Sequence, residues 1–172
     1  LEKFREKYHK SQLNLEDREH VYYFYPINSE FIKEEKDFPS VKCFNSGLDF
    51  LQTNKDADNW FLQLETFDPH EPFFAPERFR EKIKTKYRGP RLDWPQYDRV
   101  TESDEEVQEL KANYIALIAL CDHLLGNVLD YFDQNNLWDD TSLILTTDHG
   151  FMLGEHDWWA KNRMPLYNEI AN

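Results

Sequence analysis

The sequence predicts an α/β fold, a partial α/β/α sandwich in which mostly parallel strands are joined by a long crossover helix. Three observations carry that prediction. Two short runs, Trp60–Thr66 and Ser142–Thr147, are almost continuously apolar, as strands covered on both faces by helices are. Between them Val107, Leu110, Tyr114, Leu117, Ile118, Cys121, Leu125, Val128 and Phe132 recur at steps of three and four, which is a helical stripe. A strand, helix, strand order places the two strands parallel, with a right-handed connection.

Each element follows from local chemistry. Residues 1–36 mix charge with aromatics (Tyr22-Tyr23-Phe24-Tyr25) without a clean period, which predicts a short helix and then irregular chain. Asn45–Leu51 predicts a helix packing through Leu48, Phe50 and Leu51, and Asn54–Asp58 is a polar turn. Asp68-Pro69 stops the first strand. A Pro-rich excursion from Pro69 to Val100 follows, with one helix expected over Glu77–Tyr87. The long helix starts at a capping box, Ser103 with Glu106, and Glu102, Asp104 and Glu105 suit the positive end of its dipole. Asn135-Asn136 is a stop, and Asp139-Asp140 reads as a solvated turn before the second strand.

Composition narrows the function classes. At 172 residues with 40% hydrophobic and 16% aromatic content, the chain supports one domain with a real core. A net charge of −13 offers no basic stripe, which argues against a nucleic-acid partner. No sequence stretch approaches the ~18–20 consecutive apolar residues of a membrane span. Cys43 and Cys121 lack disulfide or metal spacing and read as reduced thiols. Leu1–Arg5 shows neither an initiator Met nor a signal peptide. Both ends are expected to be cuts from a longer protein, with the compartment open and the cytoplasm slightly favoured.

In parallel sheets ligands bind beyond the carboxyl ends of the strands. The first strand runs into Phe67-Asp68-Pro69-His70-Glu71-Pro72-Phe73, where flanking prolines restrict the backbone around His70. The second runs into Asp148-His149-Gly150, a carboxylate and an imidazole followed by a residue free to turn sharply. Taken alone, such a run equally suits a capping Asp beside a hydrogen-bonded His. Lys161 follows the aromatic pair Trp158-Trp159, where desolvation sharpens its attraction for an anion, although a lone Lys is more often a solvated surface group.

In order, the runs Phe67–Phe73, Thr147–Gly150 and Gly154–Lys161 resemble the sulfatase family of the alkaline-phosphatase-like superfamily. The resemblance spans roughly residues 59 to 172 as the motif-bearing part, and residues 1–58 are less diagnostic. It implies Asp148 and His149 as ligands of a divalent metal. It further implies that His70 contacts the sulfate and assists the departing alcohol oxygen, and that Lys161 binds the sulfate and offsets charge on the bridging oxygen. Calcium is the metal implied, yet calcium prefers oxygen ligands, and an imidazole suits Mn2+, Zn2+ or iron at least as well. Glu155 and His156 are expected to support packing, not catalysis.

The departures from the family pattern are equally specific. Sulfatases convert a Cys or Ser in a C/S-x-P-x-R run to formylglycine. Cys43 (in CFNSG), Cys121 (in CDHLL) and every Ser here lack that context. The family's Asp-Asp metal pair is also missing. The expectation is therefore a fragment of a sulfuric ester hydrolase, inactive alone, whose parent takes a sulfate-ester small molecule or sulfated saccharide. The competing readings are a phosphonate monoester or phosphodiester hydrolase of the same superfamily, and a non-catalytic anion-binding or interaction module. Exposed strand edges would favour self-association of the isolated chain. Tyr87–Tyr97, with Arg91 and Trp94, either lines a substrate pocket or packs on its own core.

Overall fold

A computed structural model describes residues 2–14, 16–161 and 168–170. Five helices are ordered along the described chain: α1 (Lys3–Lys7), α2 (Val21–Ser29), α3 (Pro39–Thr53), α4 (Glu77–Arg80) and α5 (Asp104–Gln134). A two-residue hairpin pair follows, β1 (Met152–Leu153) antiparallel to β2 (Trp159–Ala160).

The long helix forms where its sequence signals place it. The Ser103 side chain accepts from the Glu106 N–H while the Glu106 carboxylate accepts from the Ser103 N–H, satisfying two of the free donors at the helix start. Asn135 caps the other end. Its buried face differs from the predicted stripe. Leu110, Ala116, Leu117, Leu120, Leu124, Val128 and Phe132 are buried, whereas Ile118 is exposed and Cys121 and Leu125 are only half-buried. The middle of α5 is apolar nearly all round, so its period alone did not select the face. An 18-residue window of α5 reaches a mean hydropathy of 1.4, enough by length and composition to cross a bilayer. One third of that window is buried, where Leu117, Leu120 and Leu124 join Phe38 and Val41 of the α3 region, Phe73, Ala75 and Phe79 in one apolar cluster. Asn113, also buried on α5, donates from Nδ2 to the Leu92 carbonyl at 2.7 Å.

The predicted pair of parallel strands is corrected by the structure. Neither Trp60–Thr66 nor Ser142–Thr147 enters a sheet, and the one ladder among the described residues is antiparallel β1–β2. No residue of 60–66 or 142–147 makes a backbone–backbone hydrogen bond to another described residue. Burial along 60–67 nevertheless alternates strictly: Trp60, Leu62, Leu64 and Thr66 are half-buried and Phe61, Gln63, Glu65 and Phe67 exposed. Trp60, Leu62 and Leu143 pack on Leu51 of α3 and on Val128 and Phe132 of α5, which is the inner face of a strand with no neighbour beside it. Phe61, Phe67 and Ile144 are each 86% exposed on the other side. Apolar periodicity can orient a run against helices, but a ladder needs a partner backbone, which these runs lack among the described residues.

Two smaller corrections concern helices. Residues 21–29 are helical, started by the His20 imidazole, which accepts from the Tyr22 N–H, and they place Tyr25 in the core. The expected helix over Glu77–Tyr87 stops at Arg80. There the Arg80 guanidinium binds both carboxylate oxygens of Glu109 at 2.7 Å and bonds the Ile83 carbonyl, folding the chain back on α5. Helix α3 is longer than Asn45–Leu51, beginning with Pro39 in its first turn.

Candidate functional site

The Phe67–Phe73 run is anchored from several sides. Ser40, in the first turn of α3, donates its hydroxyl to the Asp68 carboxylate. Burial raises the Asp68 carboxyl above its usual range, opposed by the Ser40 bond and the nearby His70. The His70 N–H bonds the Phe67 carbonyl at 2.7 Å, and the Phe73 N–H bonds the Asp93 carbonyl at 2.6 Å. The His70 imidazole stands edge-on to Phe67, with centroids 6.0 Å apart, and its side chain is 35% exposed. Its Nδ1 lies 2.7 Å from the Glu71 carbonyl oxygen. An imidazole held this way carries its proton on Nδ1 and turns Nε2 outward.

Asp148 and His149 sit together beyond the second run. The Asp148 carboxylate accepts from the His149 N–H at 2.8 Å, and its other oxygen lies 3.5 Å from His149 Nε2. That backbone bond is the main reason the Asp148 carboxyl lies below its usual range, with the His149 and Lys161 charges adding to it. The His149 Nδ1 is 2.9 Å from the Gly150 carbonyl oxygen, leaving Nε2 as the lone-pair donor. Asp148 is 84% exposed in its side chain, so the carboxylate is open to a ligand. One oxygen donor and one nitrogen donor at this spacing fit part of a metal shell. Among the described residues no group of three His, Cys, Asp or Glu side chains is arranged to hold a metal ion. An imidazole in the set is softer than calcium prefers, and the donors suit Mn2+ or Zn2+ as readily.

Gly150 is required here for a reason other than a free turn. A methyl group at this position would overlap the Glu169 carbonyl oxygen, and the Gly150 N–H bonds the Ile170 carbonyl at 3.3 Å. His156 Nε2 meets the Glu169 carboxylate at 3.2 Å, and Glu155 accepts from the Leu153 N–H. Glu155 and His156 therefore close the β1–β2 turn and hold residues 168–170 against Gly150, in keeping with a supporting role.

Phe151 joins the two runs. Its ring is edge-on to Phe73 at 5.4 Å and to Tyr97 at 6.3 Å, and the Lys161 ammonium lies 6.0 Å from its centroid. Lys161 follows directly from β2, whose Trp159 is fixed by its indole N–H to Glu102 at 2.8 Å and by its backbone N–H to the Asp98 carbonyl at 3.0 Å. The ring contact thus runs through Phe73, three residues after His70, whose own ring neighbour is Phe67; Lys161 in turn bears electrostatically on Asp148.

Two participants escaped the sequence reading. Glu71 is buried to 2% exposure in its side chain and accepts the Tyr97 hydroxyl proton. Burial, then this bond and the Glu71 charge, push the Tyr97 phenol far above its usual range. Nothing local to Pro69–Phe73 signals that Glu71 is buried; the fold buries it. Of the Tyr87–Tyr97 stretch, Trp94 packs on the core, whereas Arg91 packs and also lines a groove. Arg91 lies over the Phe74 ring at 3.6 Å and pairs with Asp93, while Trp94 packs on Tyr25 and Tyr22. That groove, of about 710 Å3, is lined by Phe74, Arg80, Lys84, Tyr87, Arg88 and Arg91 among others. Cys121 on α5 is no nucleophile candidate, since burial and then the Asp68 charge push its thiol up to about 12.

A model of the sulfatase family matches residues 6–170, reaching well upstream of residue 59. The chain is similar to the multifunctional alkaline phosphatase superfamily protein PehA of Trinickia caryophylli, 28% identical over 150 residues that cover 70% of this chain and 29% of that protein. It is similar also to an arylsulfatase of Clostridium perfringens, 24% identical over 142 residues, 74% of this chain and 30% of that protein. A choline-sulfatase of Rhizobium meliloti is 23% identical over 152 residues, 76% of this chain and 30% of that protein. The chain therefore spans about three-tenths of the length of these curated relatives. No solved structure matches it at a significant level.

Proposed function

We propose that this chain, which belongs to the sulfatase family, supplies the leaving-group side and part of the metal shell of a sulfuric ester hydrolase. The observation that carries the reading is the shared ring of Phe151, which links the run bearing His70 to the run bearing Asp148, His149 and Lys161. His70, with Nδ1 engaged and Nε2 outward, protonates the alkoxide oxygen as it leaves. Lys161 binds the sulfate and offsets the negative charge that develops on the bridging oxygen as its bond to sulfur breaks. Asp148 and His149 hold a divalent cation through one carboxylate oxygen and Nε2. When bound, that cation adds positive charge beside the sulfate.

The nucleophile belongs to a formylglycine run that these 172 residues do not contain. The segment by itself is expected to give no turnover and, with two donors, weak metal binding. The substrate is a sulfate monoester of a small alcohol or a saccharide.

A second reading, hydrolysis of phosphonate monoesters or phosphodiesters, is favoured by the similarity to PehA, whose name describes a multifunctional member of the wider superfamily. The deciding experiment assays the whole protein carrying this chain on 4-nitrophenyl sulfate and on a bis-aryl phosphodiester. Higher kcat/KM on the sulfate, abolished by His70→Ala and Lys161→Ala, is the expected result. Preference for the phosphodiester overturns the assignment.

A further inference from the structure

Glu71 Oε2 is the buried side-chain polar atom that has no hydrogen-bond partner among the described residues. Native interiors seldom leave a carboxylate oxygen in that state, because desolvation without a compensating bond is costly. The other oxygen, Oε1, accepts from Tyr97, which ties the carboxylate to the Pro-rich loop. Oε2 lies 3.4 Å from His70 Nδ1, near enough for a charge contact but not aligned as a hydrogen bond. Nδ1 instead points its proton at the backbone oxygen of the same residue, 2.7 Å away. Glu71 therefore surrounds one nitrogen of the imidazole with two acceptors, its carbonyl and its carboxylate. The neighbouring ionisable groups are Asp68, on the same run, and Tyr22 of α2, whose phenol is raised to about 12 by burial first and the Glu71 charge second.

We propose that Glu71 is the positioning residue of His70, fixing the ring with Nδ1 inward and Nε2 toward the substrate and balancing the charge of the doubly protonated ring. The role rests on His70 acting as the acid. In that step an oxygen of the formylglycine nucleophile, outside these residues, bonds to sulfur as the S–O bond to the alcohol breaks; the electron pair of the broken bond stays on the departing oxygen, and the proton on Nε2 moves to that oxygen. The ring returns to its neutral form with Nδ1 still protonated. A carboxylate beside Nδ1 keeps the ring from rotating, as an acidic partner of a catalytic histidine does.

The test uses the whole protein and two sulfate esters of different leaving-group basicity. An acid matters most when the departing oxygen is basic, as in an alkyl sulfate, and least for 4-nitrophenyl sulfate. In Glu71→Gln, which keeps the shape and the capacity to bond Tyr97, kcat on the alkyl ester is expected to fall about 10–100-fold. That fall exceeds the one on the aryl ester at least about tenfold, with KM changed little. Tyr97→Phe, which keeps the charge but loosens it, gives the same selectivity with a smaller fall. Equal losses on both esters would mean a structural role, and loss on neither would mean no role; either overturns the proposal.

A second readout needs no turnover. In protein labelled with 15N-histidine, the neutral His70 ring, identified by the signal lost in His70→Gln, should show a proton-bearing Nδ1 and an unprotonated Nε2. A proton on Nε2, or averaging between the two, overturns the proposal even if the wild-type protein cleaves sulfate esters. A wild-type protein that cleaves no sulfate ester overturns the sulfatase assignment and leaves this second readout to decide the role of Glu71.

Discussion

Phe151 is the residue whose removal should most directly separate the two halves of the site. Phe151→Ala deletes two edge-to-face ring contacts, to Phe73 at 5.4 Å and Tyr97 at 6.3 Å. Each such pair is worth about 0.5–1.5 kcal/mol beyond simple burial, and the more distant one belongs at the low end. The ring is half-buried, so its lost transfer free energy is on the order of 1–1.5 kcal/mol. The Lys161 ammonium at 6.0 Å is at the outer limit of cation–π attraction and adds little. The expected destabilisation is about 3 kcal/mol, below the upper values for fully buried Phe→Ala changes. Urea unfolding followed by far-UV circular dichroism reads it as a lowered midpoint with an unchanged slope. A double-mutant cycle with Phe73→Leu and Phe151→Leu, which keeps bulk and removes the rings, isolates the pair and should return a coupling of about 1 kcal/mol. A coupling below about 0.3 kcal/mol, with both single variants folded, would refute the claim that this ring pair joins the runs.

Three further outcomes follow from the same contacts. Gly150→Ala should detach residues 168–170 from the Asp148–His149 turn, because the added methyl meets the Glu169 carbonyl; faster amide exchange at residue 150 checks it, and unchanged exchange would count against the close approach. Asp93→Ala removes a 3%-exposed carboxylate that accepts from Tyr25 and Gln12 and pairs with Arg91, leaving that guanidinium buried without its anion. The cost should be about 3–5 kcal/mol, and a thermal midpoint within a degree of wild type would contradict it. Cys121 should resist alkylation by iodoacetamide at pH 9, because its thiol is raised from 9.0 to about 12. With the folded value above the unfolded one, the protonated thiol favours the folded state below about pH 9, and that contribution is lost as pH rises toward 12. Mass spectrometry showing rapid modification of folded Cys121 at pH 9 would refute the burial.

The sequence by itself determined the features written within a few residues of one another. Ser103 and Glu106 are three positions apart and cap α5 wherever the rest of the chain goes, and Asn135 ends it as expected. The order of the Phe67–Phe73, Thr147–Gly150 and Gly154–Lys161 runs carried the family, and neither Cys43, Cys121 nor any Ser lies in a C/S-x-P-x-R run. Tertiary structure decided what depends on distant partners. Trp60–Thr66 alternates like a strand but finds no ladder among the described residues, because hydrogen bonding between strands is supplied by a second backbone and is not encoded in the first. Which face of α5 is buried was decided by Phe38, Val41, Phe73 and Phe79 packing on it, since apolar residues surround its middle. Glu71 carries no local signal of burial and is buried in the fold, where the hydroxyl of Tyr97, 26 residues on, donates to it. Periodicity and capping act over one or two helical turns, whereas burial and pairing are set by segments tens of residues apart, which only the folded chain brings together.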